Sequence, residues 1–324
     1  MESSGQIAAS TAPALTRPRL EAASPRYGER LIYWLLAACA GISVLTTTAI
    51  VFSLLIPTVE FFGEVPVVDF LLGTDWGPTF TPASFGVLPI VFGTLSVTLW
   101  ALLFAIPIGL GTAIYLSEYA SPRVRRVVKP IIEILAGIPT VALGFFALVF
   151  ITPAIQDIWP GFLGQSPGIF SVAAAGLAIG LMIVPIIASV SEDAMSAVPG
   201  GLREGAYALG ATRARVATKV VFPAALSGIV ASIILAVSRA IGETMIVLLA
   251  AGNTPNSDLL QNFNPVESIQ AMTSFIGSVA TGDIGTGTIT YKTVFAVAAL
   301  LFLMTLLMNL LSIRLVRRYR EVYE

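Results

Sequence analysis

Long apolar runs separated by short polar stretches set the pattern of this chain. Six such runs occupy residues 31–56, about 88–116, about 131–155, about 169–190, about 224–251 and about 291–313. Each is long enough, at about 20 residues or more, to cross the roughly 30 Å hydrocarbon layer of a bilayer as a helix. The pattern predicts an all-α polytopic membrane protein with six transmembrane helices. Residues 1–30 are rich in Ala, Ser, Thr and Pro and read as a disordered basic tail. Residues 57–87 form a loop with acidic residues and no cation, and 314–324 a short basic C-terminus. The main body is then 88–313, five spans and the loops between them.

The fourth polar stretch has internal order. Residues 201–223 read GLREGAYALGATRARVATKVVFP. Two short helices are expected, about 201–209 and about 212–222, with Gly210 at the bend because glycine turns sharply at no steric cost. Val216 and Val220 stand one turn apart on the second, with its cations toward water. Phe222 and Pro223 are expected to end it.

Composition sharpens the class. The chain is 56% hydrophobic and 11% charged, against about 25% charged residues in a soluble domain. Every Lys and Arg apart from Arg239 and Lys292 falls in the N-terminal tail, the second-to-third loop, the ordered loop or the C-terminus. With six spans those segments share one side, which the positive-inside rule makes cytoplasmic, both termini included. There is no histidine and one cysteine, Cys39. That removes imidazole metal sites, His-based triads and intrachain disulfides. No GxxxxGK[ST] occurs, so any ATP-driven work belongs to a partner. No cofactor or metal site is expected on this chain, and nothing points to nucleic acid.

Two charges fall inside the fifth run, Arg239 and Glu243 in SRAIGETM. At i and i+4 of one helix they would share a face. Such a pair either neutralises itself and helps the bundle pack, or places Arg239 on a water-filled path where its guanidinium forks onto an oxyanion. In the second case Ser238 and Thr244 add hydroxyls, and Glu243 restrains Arg239 between passages. Glu133, one turn from Lys129, pairs with it or lines the same path. Gly137, Pro139 and Thr140 mark a break in the third span that lines the path or only relieves packing.

The ordered loop resembles the coupling motif of ABC importer permeases: Glu204, Gly205 and Ala206, then Gly210, then Val220, Phe222 and Pro223, at matching intervals. Gly205 replaces the usual alanine, at roughly 1 kcal/mol of helix stability, and Val220 and Phe222 replace Ile and Leu. FLLGTDWGPTF (70–80), IYLSEYASPRVRR (114–126), KPIIEILAGIP (129–139), SRAIGETM and AGN (251–253) together look like the PstC-type permease of the bacterial phosphate-specific ABC transporter. Ala142 and Leu143 depart from the bulkier residues usual there. The resemblance covers about 30–320. It implies the MetI-like ABC importer permease fold and a place in the bacterial inner membrane. It also implies a heterodimer with a sister permease, two cytoplasmic ATPase subunits that hold the ATP, and an external phosphate-binding protein. The coupling loop would dock on an ATPase, and Arg239 and Glu243 would be the charged pair met by phosphate. Sulfate or molybdate would suit the same charges; a passive anion channel would not need the patterned loop, and an intramembrane enzyme would need acids or bases that are absent.

Overall fold

Residues 27–161, 164–259, 263–282, 284–285 and 287–319 are described by the computed structural model. The basic tail as far as residue 26, Asp283 and Arg320 lie outside the described residues. Thirteen α-helical segments are found among them, some extended by a π turn. A two-residue antiparallel ladder pairs β1 (Trp76–Gly77) with β2 (Ser84–Phe85).

The chain divides at residue 51. The first unit holds most of helix α1 (Tyr27–Glu64), whose large apolar side chains, among them Leu31, Trp34, Ile42 and Leu45, are exposed all round. A helix apolar on every face has lipid as its solvent. Thr46, Thr47 and Thr48 turn their hydroxyls back onto the carbonyls four residues earlier, so this unit meets lipid with no free hydroxyl there.

In the second unit α1 continues past Pro57 to Glu64, then α2 (Val67–Leu72) and the hairpin lead to α3 (Leu88–Ile114). Phe61, Phe70, Trp76 and Phe275 make one buried aromatic cluster there. Trp76 Nε1 donates to Gln270 Oε1 (2.7 Å), and Gln270 Nε2 to Asn253 Oδ1 (2.7 Å). Lys292, at the start of α13 (Ile289–Tyr319), reaches Glu64 at 3.1 Å and Glu60 at 3.4 Å.

The central pair is α3 and α7 (Val172–Ser196), packed around Ala101, Ala105, Ile179, Ile183 and Ile187. Glycine sets their separation. A Cβ on Gly176 would lie 2.7 Å from Trp100 Cβ, and one on Gly180 would lie 2.7 Å from Phe104 Cδ1. These two glycines, four residues apart on α7, therefore serve close helix approach. Gly176→Leu is expected to destabilise the protein by about 1–3 kcal/mol through overpacking, read as a lower melting temperature in detergent.

The expected loop 57–87 is partly helical, since α1 runs on through Pro57 to Glu64 and residues 67–72 form α2, and two spans are interrupted where the sequence expects one helix. The third does not begin at residue 131. Residues 122–135 form a separate helix, α4 (Pro122–Leu135), and the membrane-length helix is Thr140–Ile158, made of α5 (Thr140–Phe146), a π turn and α6 (Thr152–Ile158). Pro139 brings no N–H and disfavours helix at the residue before it, which separates the two. α4 is also two-faced: Val124, Val127, Ile131 and Ile134 are exposed along one stripe, while Arg125 and Lys129 lie on the side toward α7. The fifth span is not one helix either. α11 (Leu226–Ile241) stops before Gly242, and helical structure resumes at Met245 into a π turn, Val247–Ala251. Among the described residues five helices are long and apolar enough to span a membrane alone, and a sixth span follows if the pair Arg213–Ala224 and Leu226–Ile241, bent by 73°, is counted as one. α12 (Met272–Thr281) packs beside α13.

Candidate functional site

The ordered loop folds as helix, turn and helix. α8 (Gly200–Ala208) ends in two crossed bonds, Ala211 N–H to Ala206 O (3.1 Å) and Gly210 N–H to Tyr207 O (2.9 Å). That is a Schellman cap, with Gly210 at φ +79°. Nothing lies within 4 Å of a Cβ built on Gly210, so the position asks for a left-handed backbone rather than for space. Thr212 accepts from Arg215 N–H (3.4 Å) and opens α9 (Arg213–Val216).

Pro223 does not end this helix, contrary to the sequence expectation. A π turn, Ala217–Val221, follows α9, closed by Phe222 N–H on Ala217 O. Phe222 and Pro223 then begin α10 (Phe222–Ala224), and the bend falls at Ala225. The wider turn brings the proline to the first turn of a new segment, where no N–H is needed.

The motif residues divide between two surfaces. Glu204, Gly205, Gly210 and Pro223 are exposed. Ala206, Val220 and Phe222 pack on a cluster of Ala113, Met195, Val198, Val216, Val221 and Ile229 at the ends of α3, α7 and α11. Leu209, at the tip of α8, is 90% exposed, and Leu202 and Tyr207 are exposed beside it. The second helix keeps Arg213, Arg215 and Lys219 outward and buries Val216. Arg213 also stands 5.8 Å from the centre of the Tyr119 ring, within cation–π range.

The fifth-span charges are arranged differently from the i, i+4 pair expected. Glu243 lies beyond the end of α11, 7% exposed, and its Oε1 accepts from Met245 N–H (3.1 Å) and Ile246 N–H (3.3 Å). It caps the second half of the broken span. The orphan amides at the start of that half compete for the carboxylate and win, and the chain leaves the helix at Gly242, whose backbone (φ −85°, ψ 0°) any residue could adopt. Thr273 Oγ1 donates to Glu243 O (2.8 Å) and ties the break to α12. Arg239, in the last turn of α11, is exposed and makes no ion pair or hydrogen bond among the described residues. It shares its face with the exposed Leu235, one turn earlier. Ser238 donates to Asn309 Oδ1 on α13 (3.0 Å), and Thr244 donates at 3.4 Å to Gly242 O. The structure thus places Ser238, Arg239, Glu243 and Thr244 around one break without joining the two charges.

Gly137 and Pro139 lie in the turn between α4 and α5, and Thr140 opens α5. Glu133 does not pair with Lys129, the partner the sequence suggested; Ser189 Oγ is 3.5 Å from it. It lines a cavity of about 490 Å³ together with Arg125, Arg126 and Lys129.

Lys129 is held elsewhere, in a cluster that sequence reasoning missed. Glu192, near the end of α7, has a side chain 0% exposed. It is clasped by Lys129 Nζ (2.8 Å), by Arg125, and by Ser196 Oγ (2.8 Å). Asp193 also binds Lys129. Burial lowers the Lys129 pKa, but the bonds to Asp193 and Glu192 outweigh it and the net shift is upward. These partners lie more than 60 residues apart. The available signal was Glu192–Asp193 closing an apolar run opposite a cationic segment. A further acid with a buried side chain, Glu118, lies in the π turn after α3 and meets Arg203 of α8.

Comparison with known proteins places this arrangement in context. Residues 105–321 match the family described as binding-protein-dependent transport system inner membrane component. A probable ABC transporter permease protein, YqgH of Bacillus subtilis, is 34% identical over 89% of this chain and 90% of its own length. The phosphate transport system permease protein PstC of Haemophilus influenzae is 34% identical over 78% of this chain and 82% of its own. Among solved structures, a chain of the MetNI methionine ABC transporter in an inward-facing conformation aligns with TM-score 0.54 and 25% identity, over 72% of this chain and 96% of that one. A chain of a bacterial alginate ABC transporter aligns with TM-score 0.60 over 91% of this chain and 98% of that one; at 16% identity the likeness is one of fold.

Proposed function

The chain belongs to the binding-protein-dependent transport system inner membrane component family, as a non-catalytic permease subunit of an ABC importer, and from that premise we propose that its substrate is inorganic phosphate. The observation that carries the proposal is Arg239, a permanent cation in a membrane span with no counter-ion among the described residues. A bare guanidinium in lipid is costly. On an aqueous path it is a forked donor for two oxygens of a tetrahedral anion. Permeases of phosphate systems among the relatives favour phosphate over sulfate or molybdate as that anion.

The open face of α11 that carries Arg239 and Leu235 receives the sister permease, so the path runs between two subunits. Ser238, Thr244 and the Gly137–Thr140 turn contribute to its lining, and Glu243 holds the break open beside Arg239. An external phosphate-binding protein delivers the anion. α8, with Glu204 and Gly205 outward and Leu209 as an apolar tip, docks on one of two cytoplasmic ATPase subunits, which hold the ATP. Both termini are cytoplasmic, on the side of the cation-rich loops.

The test is uptake of labelled phosphate by vesicles holding the complete importer with ATP inside the compartment that α8 faces. Phosphate should accumulate, and an excess of sulfate should leave the rate unchanged. Accumulation of sulfate in place of phosphate would overturn the substrate. A second measurement addresses docking. Gly210→Val forces a β-branched residue to positive φ, at a cost of about 1–3 kcal/mol. It is expected to lower ATP-driven uptake strongly, while Gly210→Asn, which tolerates that region, keeps most of it.

A further inference from the structure

Arg203 stands one residue before Glu204 but faces the opposite way, into the protein. Its guanidinium makes four bonds to two other elements. Nε and Nη2 donate to Glu118 Oε1 at 3.2 and 3.1 Å. Nη1 donates to Val198 O at 2.6 Å and Nη2 to Met195 O at 2.7 Å. Glu118 belongs to the π turn that ends α3, and its side chain is 4% exposed. Ser117 Oγ donates to the same Oε1 at 3.0 Å. Met195 and Val198 flank the end of α7, where carbonyls lack helical partners and the helix dipole favours a cation. One side chain therefore ties α8 to the ends of both central helices, which the Gly176 and Gly180 contacts already hold as a close pair.

We propose that Arg203, seated on Glu118 and the end of α7, is the positioning residue that turns a displacement of α8 into a displacement of α3 and α7. The inference rests on the docking role given to α8 above. α8 is joined to α7 by only three residues, 197–199, so the covalent link fixes where α8 begins. The link alone does not set its angle; Ala206 rests on the cluster at the helix ends, and the guanidinium supplies the directional bonds that fix the angle. Its planar fork resists rotation in a way a single ammonium does not. Without it α8 still presents Leu209 and Glu204 to the ATPase, but it swivels when pushed instead of carrying the helices with it.

The measurement is the ratio of phosphate moved to ATP hydrolysed by the complete importer in vesicles, with the ATPase retained by the purified complex measured in parallel. Arg203→Ala and Glu118→Ala are each expected to lower the ratio by about tenfold or more, the worth of a charge-assisted pair. ATPase retention should match the wild type. The double variant should be no worse than the poorer single, because the two residues act as one unit. Arg203→Lys should fall between. An unchanged ratio in either single variant, multiplying losses in the double, or loss of the ATPase or of folded permease would each overturn the proposal. Glu118→Ala leaves the sequence of α8 intact, so it separates transmission from docking. Wild-type complex that retains no ATPase would overturn the docking premise instead. Wild type that moves sulfate would overturn the substrate alone, and the ratio would then be taken with sulfate.

Discussion

Arg239→Gln is expected to lower ATP-driven phosphate uptake by about a hundredfold, the loss of a forked, charge-assisted contact worth roughly 3 kcal/mol. Membrane insertion and ATPase retention should be unaffected, because Arg239 makes no ion pair or hydrogen bond among the described residues. Arg239→Lys keeps the charge and loses the fork, so an intermediate rate is expected. Glu243→Gln separates the two charges. Its amide oxygen can still accept from Met245 and Ile246, which preserves the cap, so uptake should fall far less than with Arg239→Gln. Equal losses in the two variants would restore the ion-pair account that the geometry disfavours. Normal uptake by Arg239→Gln would reduce Arg239 to a packing role.

The second large effect is on stability. Glu192→Ala leaves Arg125 and Lys129 facing a buried site with no carboxylate. The two cations left behind are 40% and 25% exposed and Lys129 keeps Asp193, so the cost is that of the lost charge-assisted bonds, about 1.5–3 kcal/mol, and a drop in melting temperature and in yield of folded permease is expected. Glu192→Gln, which keeps the shape and one acceptor, should cost less. The same clasp predicts a pH response. The Lys129 pKa is raised above its ordinary 10.5, first against the lowering by burial and then by the bonds to Asp193 and Glu192. A raised folded value means that this contribution is fully present below the unfolded value and fades only as pH climbs through the folded one. Melting temperature of the wild type should show no Lys129-linked change between neutrality and mildly alkaline pH. A transition near neutrality that vanishes in Lys129→Met would contradict this.

Much of the site was legible because it depends on local spacing. Gly210 was marked as a bend by its place between a small-residue helix and a basic one, and it has the positive φ such a bend requires. Gly176 and Gly180 stand four residues apart in the sequence, and each meets a large side chain of α3. The π turns were not legible, since a one-residue widening leaves the apolar pattern almost unchanged. For that reason Pro223 looked like a terminator and proved to be the start of a further turn. Glu243 looked like the partner of Arg239 because i, i+4 spacing assumes an unbroken helix. Amides freed at the Gly242 break took the carboxylate instead.

By itself the sequence determined the all-helical membrane class, the gathering of the cations into a few segments between the spans, the ordered loop and the presence of a cation in the fifth span. All of these follow from composition and from intervals shorter than about two helical turns, which the chain carries without reference to its fold. Only the tertiary structure decided which charges meet. Glu192 with Arg125 and Lys129, and Glu118 with Arg203, join residues 63 to 85 positions apart. Such pairs are chosen by the way α3, α4, α7 and α8 converge at one end of the bundle, where a buried carboxylate must find a cation from whichever helix passes within reach.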